Sequence, residues 1–214
     1  MGGRTGGTDV PGRHVELIER VVVFDGYFQV VRHRLRHSLF TGDMGPELTR
    51  EVFERGHAAA VLPYDCDRDE VVLIEQFRIG ACGVDDDPWL LETVAGIIEP
   101  GEPVRDVVRR EALEEAGLEL LDLVPVARYF VSPGGTTETV ELFVAKVDSS
   151  QAGGLFGLAE EGEDIKVHVV AFDQAMAWLR DGKIKVGTTL IALQWLALNR
   201  GQLHDRWTPA PPKA

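Results

Sequence analysis

The segment from Pro103 to Gly117 constrains the fold more than any other, because it reads as a helix at both ends and along its length. Pro103 suits a first helical turn and Gly117 suits the left-handed position just past the last one. Positions 104, 108, 111 and 115 step by four, three and four, so Val104, Val108, Glu111 and Glu115 share one stripe. That stripe begins apolar, against a core, and ends in carboxylates, with Glu114 beside them within about 100° of arc. Packed carboxylates repel one another unless a positive charge lies between them. A hard divalent cation answers that need: Mg2+ takes oxygen ligands, keeps several waters and shares its other positions with substrate phosphates. The helix alone leaves a plainer reading open, a solvated end where Arg110 pairs with Glu114 for about 0.2–0.5 kcal/mol.

Around this helix the chain is mostly strand-like. Residues 14–53 are rich in β-branched stretches, 17–24 and 27–35, separated by the turn signal Asp25-Gly26. Further short runs at 58–62, 71–76, 91–94, 123–131, 139–147 and 165–172 are bounded mainly by Gly, Pro or Asp. Helical periodicity recurs at 173–180 and 188–199. Strands with helices scattered among them predict a layered α/β arrangement with a mixed sheet.

A chain of 214 residues accommodates one main domain, with room for a smaller appendage. Its net charge of -13 excludes a general nucleic-acid surface, which needs clustered Lys and Arg. An anionic small molecule stays possible if a few arginines, or metal ions on those carboxylates, make a local cationic pocket. No apolar run approaches the roughly 20 residues that cross a bilayer, and the first residues are glycine-rich and polar, so no membrane partner and a cytoplasmic location are expected. Cys66 and Cys82 have no metal or redox spacing and are expected as reduced thiols. His57 and His168 do not cluster with ligand spacing and are expected to be structural.

Gly96, five residues, Glu102, seven residues, and then Arg110-Glu111-Ala112-Leu113-Glu114-Glu115-Ala116-Gly117-Leu118 together resemble the Nudix box at every fixed position. Only Ala112 is smaller than the bulky aliphatic often found in its slot. A pattern of this length is far more specific than a lone glycine motif. The resemblance implies the Nudix fold, an α/β/α sandwich with a mixed sheet. It also implies metal ligands at Glu111, Glu114 and Glu115 and at the carbonyl of Ala95, with Arg110 orienting the glutamates. The stretch from Gly96 to Gly101 is then expected to be the loop that bends the chain back onto the helix.

Outside the box, Pro133 in Ser132-Pro133-Gly134-Gly135-Thr136 follows Gly117 by sixteen positions, which looks like the marker of the ADP-ribose pyrophosphatase subgroup. An ordinary loop is the plain alternative. Residues 50–57, 71–76 leading to Arg78, and 157–164 extend the similarity, which resembles the enterobacterial type of that subgroup over about 15–198. By this resemblance Arg50, Glu51, Arg55 and Arg78 line the substrate site, and arginine's planar donors suit diphosphate oxygens. Tyr27 and Phe28 would hold adenine, although strand core is the bland reading of the same pair. Ile97 would offer backbone, and Ser132, Pro133, Gly134 and Glu138 would contact the phosphate-ribose end.

The acidic loop around 160–164 reads by itself as a solvated charge run. Matched to the family, it supplies Glu161 as general base and Glu163 as a ligand for a further magnesium ion. The implied reaction is hydrolysis of ADP-ribose to AMP and ribose 5-phosphate with two or three Mg2+ or Mn2+ ions, in a homodimer that exchanges its N-terminal region. The expected organisation is a tail at 1–13, an antiparallel β subdomain at 14–55 that serves dimerisation and adenine, a Nudix domain at 56–205 and a tail at 206–214. Two alternatives stand beside it: a nucleotide-sugar hydrolase acting on GDP-mannose, and a non-catalytic ADP-ribose sensor, which would be expected to lack box glutamates that are present here.

Overall fold

The computed structural model describes residues 12–158 and 162–208, which group into two compact units. The smaller one takes in residues up to 57 together with 130–139; the larger holds 58–129 and 140 onwards.

The smaller unit is built on a three-stranded antiparallel sheet of β1 (Val15–Asp25), β2 (Gln29–His37) and β3 (Leu48–Glu54), in that order. Asp25 pairs with Gln29 across the tight connection that the Asp25-Gly26 signal predicts. Cross-strand ion pairs decorate it, Arg20 with Glu54 at 2.9 Å, Arg32 with Glu51 at 2.8 Å and Arg34 with Glu47 at 2.7 Å. All are solvent-facing and contribute little each; the fully buried Val31 is the sheet's apolar anchor. Residues 130–139, outside the expected 14–55, join this unit through a parallel bridge between Phe53 and Thr136. The N–H of Phe53 donates to the Gly135 carbonyl at 2.8 Å.

In the larger unit β4 (Ala58–Asp65), β5 (Glu70–Phe77), β8 (Asp122–Phe130), β9 (Thr139–Lys146), β10 (Gly154–Phe156) and β11 (Ile165–Ala171) lie in the order β10-β11-β5-β4-β9-β8. Two short strands complete the sheet: β6 (Trp89–Glu92) on β5 and β7 (Val94–Ile97) on β4. β4 and β9 run parallel while β4 and β5 are antiparallel, so the sheet is mixed. Both faces are covered, and the strands accordingly lack polar alternation. Ala59, Val61, Val72 and Ile74 meet α1 (Val104–Ala116) through Val107, Val108 and Ala112. Ala60, Leu62, Val71 and Leu73 meet α2 (Phe172–Arg180) and α3 (Gly187–Trp207) through Ala175, Ala192, Leu193 and Leu196. This is the expected α/β/α sandwich.

Several expectations need correction. The run 91–94 is two strands, because the chain breaks at Thr93, whose N–H donates to Thr189 Oγ1 at 3.0 Å. The helix expected over 188–199 continues through Gly201 to Trp207, so the expected tail starts too early. Trp207 is buried and its Nε1–H donates to Asp122 at 2.8 Å, alongside Arg206 at 2.9 Å. At the other end residues 1–11 lie outside the described set, whereas Arg13 is placed with its guanidinium 5.6 Å from the Phe40 ring centre. No helix among the described residues is long and apolar enough to cross a membrane.

Candidate active site

α1 is delimited as its sequence predicts. Pro103, extended at φ -66°, precedes the first helical residue, and Gly117 adopts φ 62° with its N–H on Leu113 and that of Leu118 on Ala112. This left-handed finish is one that glycine adopts without a Cβ penalty. The stripe of α1 that seats Val108 in the core carries Glu115 to 3% exposure. Its Oε2 accepts the N–H of Ala95 on β7 at 3.1 Å, which ties helix to sheet at the acidic end. Gly96, the next residue, was expected to open the turn into the helix, but it sits in β7 paired with Ala59. Its role is space: a Cβ built there would overlap the Glu111 carboxylate. The turn falls later, at Gly101, with φ 89°.

Arg110 gathers the acids around it. Its Nη1 donates to Glu111 at 2.8 Å and to Glu114 at 3.1 Å, and its Nε to Glu102 at 3.3 Å. Burial works against the guanidinium charge, but hydrogen bonds and charges of these carboxylates raise its pKa overall. Burial raises the Glu111 pKa, opposed by Arg110 and reinforced by Glu114 and Glu163. Burial also pushes Glu115 up to about 8, against the hydrogen bond from Ala95 and with added repulsion from Glu111 and Glu163. Glu163 is thus close enough to act on both helix carboxylates. It is held by the Leu158 N–H at 3.1 Å, beside Gly157, where a Cβ would come within 2.8 Å of the Glu163 Cβ.

Arg78, one residue past β5, completes the larger unit's cluster. It donates from Nη2 to Glu92 at 2.8 Å and from Nε at 3.1 Å, and it feels the charges of Glu115 and Glu163. Ile97, 37% exposed, ends β7 on the same stretch.

Among the described residues, no three acidic, histidine or cysteine side chains stand in ready-made metal geometry, and Arg110 donates to both Glu111 and Glu114. The donor chemistry nevertheless fits a hard divalent cation. Every candidate atom is oxygen, the buried carboxylates oppose one another's ionisation, and the missing side chain at Gly96 leaves the Glu111 carboxylate room.

The smaller unit assembles a second group. Tyr27, 89% exposed, meets Phe28 edge-on with ring centres 4.7 Å apart, and Phe28 meets Phe53 at 5.1 Å. The Arg55 guanidinium lies 5.6 Å from the centre of the Phe28 ring and 3.6 Å from the largely buried Glu138 carboxylate. Ser132, Pro133 and Gly134 are exposed in a turn closed by the Gly135 and Thr136 N–H groups on the Ser132 carbonyl. On β3, Glu51 is taken up by Arg32, and Arg50 donates to the Thr49 carbonyl. Tyr27 and Phe28 are therefore at a hairpin tip and not in strand core.

A family profile described as NUDIX domain matches residues 54–189. The chain belongs to the Nudix hydrolase family. Among its Nudix relatives, the ADP-ribose pyrophosphatase of Escherichia coli (strain K12) is 52% identical over 193 residues, covering 90% of this chain and 92% of that protein. The ADP-ribose pyrophosphatase of Haemophilus influenzae is 45% identical over 90% of each. The GDP-mannose pyrophosphatase of Escherichia coli O1:K1 is 33% identical over 87% of this chain and 97% of that one. A solved structure described as an ADP compounds hydrolase shares the fold, with TM-score 0.67 at 21% identity, covering 88% of this chain and 95% of its own.

Within the Nudix framework, Arg78, Ala95, Arg110, Glu111, Glu114, Glu115 and Glu163 come together in the larger unit, while Tyr27, Phe28, Arg55 and Glu138 gather in the smaller. Glu161, the expected base, lies outside the described residues. Sequence reasoning overlooked Gln76 and Glu92, buried polar side chains in otherwise apolar strands; an acid between Leu91 and Thr93-Val94 was the available signal. It also overlooked Phe53, which only the fold brings to Phe28.

Proposed function

We propose that this protein hydrolyses the diphosphate of ADP-ribose to AMP and ribose 5-phosphate in a Mg2+-dependent reaction. The observation that carries the proposal is the convergence of Glu111, Glu115 and Glu163 beside Arg78, which puts acidic and cationic groups suited to a metal-bound diphosphate in one place. The 52% identity to an ADP-ribose pyrophosphatase over 90% of the chain directs the choice of nucleotide.

In this reading Glu111, Glu114, Glu115 and Glu163, with the Ala95 carbonyl, hold two or three Mg2+ or Mn2+ ions. Such ions, when bound, neutralise diphosphate charge and lower the pKa of water. The chain does the rest. Arg50, Arg55 and Arg78 bind diphosphate oxygens, with Glu51 beside them, and Arg110 holds the glutamates in register. Tyr27 and Phe28 stack on adenine, Ile97 offers its backbone, and Ser132, Pro133, Gly134 and Glu138 receive the phosphate-ribose end. Glu161 accepts the proton of the attacking water, a phosphorus–oxygen bond to the bridging oxygen breaks, and one phosphate monoester leaves.

The reading includes a homodimer formed through the N-terminal sheet, supported by exposed Val21, Val23 and Phe24 on its edge strand β1. It also includes a cytoplasmic location, in keeping with the free thiols of Cys66 and Cys82. The relative named for GDP-mannose keeps that substrate as the second reading. Measuring kcat/KM for ADP-ribose and GDP-mannose with Mg2+, with product chromatography and an EDTA control, tests the proposal. AMP release that EDTA abolishes is expected; a preference for GDP-mannose, or no AMP with either Mg2+ or Mn2+, overturns it. Light scattering of the purified chain checks the dimer.

A further inference from the structure

The pairing of Arg78 with Glu92 joins an open donor to a buried acceptor. Glu92 ends β6 and is 7% exposed, fixed by its pairing with Ile74 on β5. Arg78 keeps 45% of its side chain in solvent, and its backbone N–H is tied to the Pro88 carbonyl at 2.9 Å. Its Nε donates to both Glu92 oxygens, at 3.2 and 3.1 Å, and its Nη2 donates to Oε2 at 2.8 Å. Gln76, also buried, donates to the same Oε2 at 3.5 Å from the sheet face on which Ile74 contacts α1. The bonds to Glu92 use Nε and Nη2, so Nη1 stays outside the pair.

A guanidinium gripped through one edge cannot turn about its long side chain. Its free edge then has one direction, so the loss of side-chain freedom is met in folding and not on binding. Arg78 also feels the charges of Glu115 and Glu163, and a free N–H edge on such a cation suits a diphosphate oxygen. An acid that served only to neutralise a buried cation would fit this geometry poorly, because here the acid is the buried partner and the arginine is half open.

We infer that Glu92 is a positioning residue for substrate binding: with Gln76 behind it, it clamps Arg78 so that the outer N–H groups of the guanidinium meet a diphosphate oxygen of the substrate. The inference deepens the proposed diphosphate hydrolysis and rests on it. Glu92 itself touches no substrate; its effect passes through Arg78.

A double-mutant cycle on the full-length protein tests it, with ADP-ribose and Mg2+ as the probe. Glu92→Gln is expected to lower kcat/KM by about 10- to 100-fold, mainly through KM, as displacement of a binding group does. Arg78→Ala is expected to lose at least as much. The double variant should then be no worse than Arg78→Ala alone, because without Arg78 there is nothing for Glu92 to position. If the two losses multiply, or if Glu92→Gln shifts Tm while kcat/KM per folded molecule stays unchanged, the inference is wrong and Glu92 is structural. Glu92→Asp, which keeps the charge and retracts the carboxylate by one methylene, carries the same cycle should Glu92→Gln fail to fold. A wild-type protein that releases no AMP overturns the hydrolysis reading and this inference with it, whereas multiplying losses in an active enzyme overturn the inference alone.

Discussion

Replacing Glu115 by Gln should make the metal-free protein more stable while removing its activity. Gln keeps the volume and retains an oxygen for the Ala95 N–H, which now donates at 3.1 Å, but it cannot ionise. Burial raises the Glu115 pKa to about 8 from an ordinary 4.5, with Glu111 and Glu163 adding repulsion. A raised acid favours folding fully only below its unfolded value, and that stability is lost progressively as the pH climbs towards the folded one. The gap between the ordinary value of 4.5 and pH 7, at about 1.4 kcal/mol per pH unit, amounts to about 3 kcal/mol that the variant recovers. At about 2–4 °C per kcal/mol for a chain of this size, Tm in EDTA at pH 7 should rise by about 6–12 °C. Near pH 5 the difference should shrink to under about 1 kcal/mol, because the unfolded chain, with Glu115 close to its ordinary value of 4.5, then gains little by ionising it. With millimolar Mg2+ the order should reverse, since the wild type alone gains the full binding free energy of the ion. Calorimetric melts at pH 5 and pH 7, each with EDTA and with Mg2+, measure all four states. A variant less stable than wild type in EDTA at pH 7, or a gap indifferent to pH, would refute the assignment of a buried, ion-seeking carboxylate.

Gly96→Ala drives a methyl group into the Glu111 carboxylate, so turnover should fall by about 100-fold with a well-folded protein; a near-normal kcat would show that the space at Gly96 is incidental. Phe28→Ala removes the ring that lies between Tyr27 and Phe53, and KM for ADP-ribose should rise about 5- to 150-fold, the equivalent of about 1–3 kcal/mol of base stacking. An unchanged KM would move adenine elsewhere. Trp207→Ala should cost about 3–5 kcal/mol by denaturant titration, for the lost burial and the lost bond to Asp122; a loss under about 1 kcal/mol would return that residue to a loose tail.

What was legible in the sequence depended on whether the signal was local. The end of α1 at Gly117 and the stripe from Val104 to Glu115 follow from spacing along one element, and the structure reproduces both. The layering also followed from periodicity. Long-range partners were out of reach. Trp207 reads as the start of a polar, proline-rich end until Asp122, far away in sequence, supplies its acceptor. Gly96 reads as the start of the loop that bends back onto the helix, while its actual demand comes from Glu111 on another element. Glu92 looks like an ordinary charge beside a short strand until the pairing of β6 with β5 buries it under Arg78. The expected site residues owe more to resemblance than to spacing: Arg55 and Glu138 meet only because residues 130–139 fold against β3.

β4 carries a consequence for how such a chain tolerates length change. Its consecutive residues Ala59, Ala60, Val61 and Leu62 alternate between the two apolar layers, and it aligns β7 on one edge, with Ala60 opposite Ala95. One inserted residue would turn each layer's side chains into the other and slide Ala95 off the Glu115 carboxylate in the same stroke. The strand acts as a ruler shared by folding and chemistry, so insertions and deletions are tolerable in the surface turns and ruinous along these few alanines and valines.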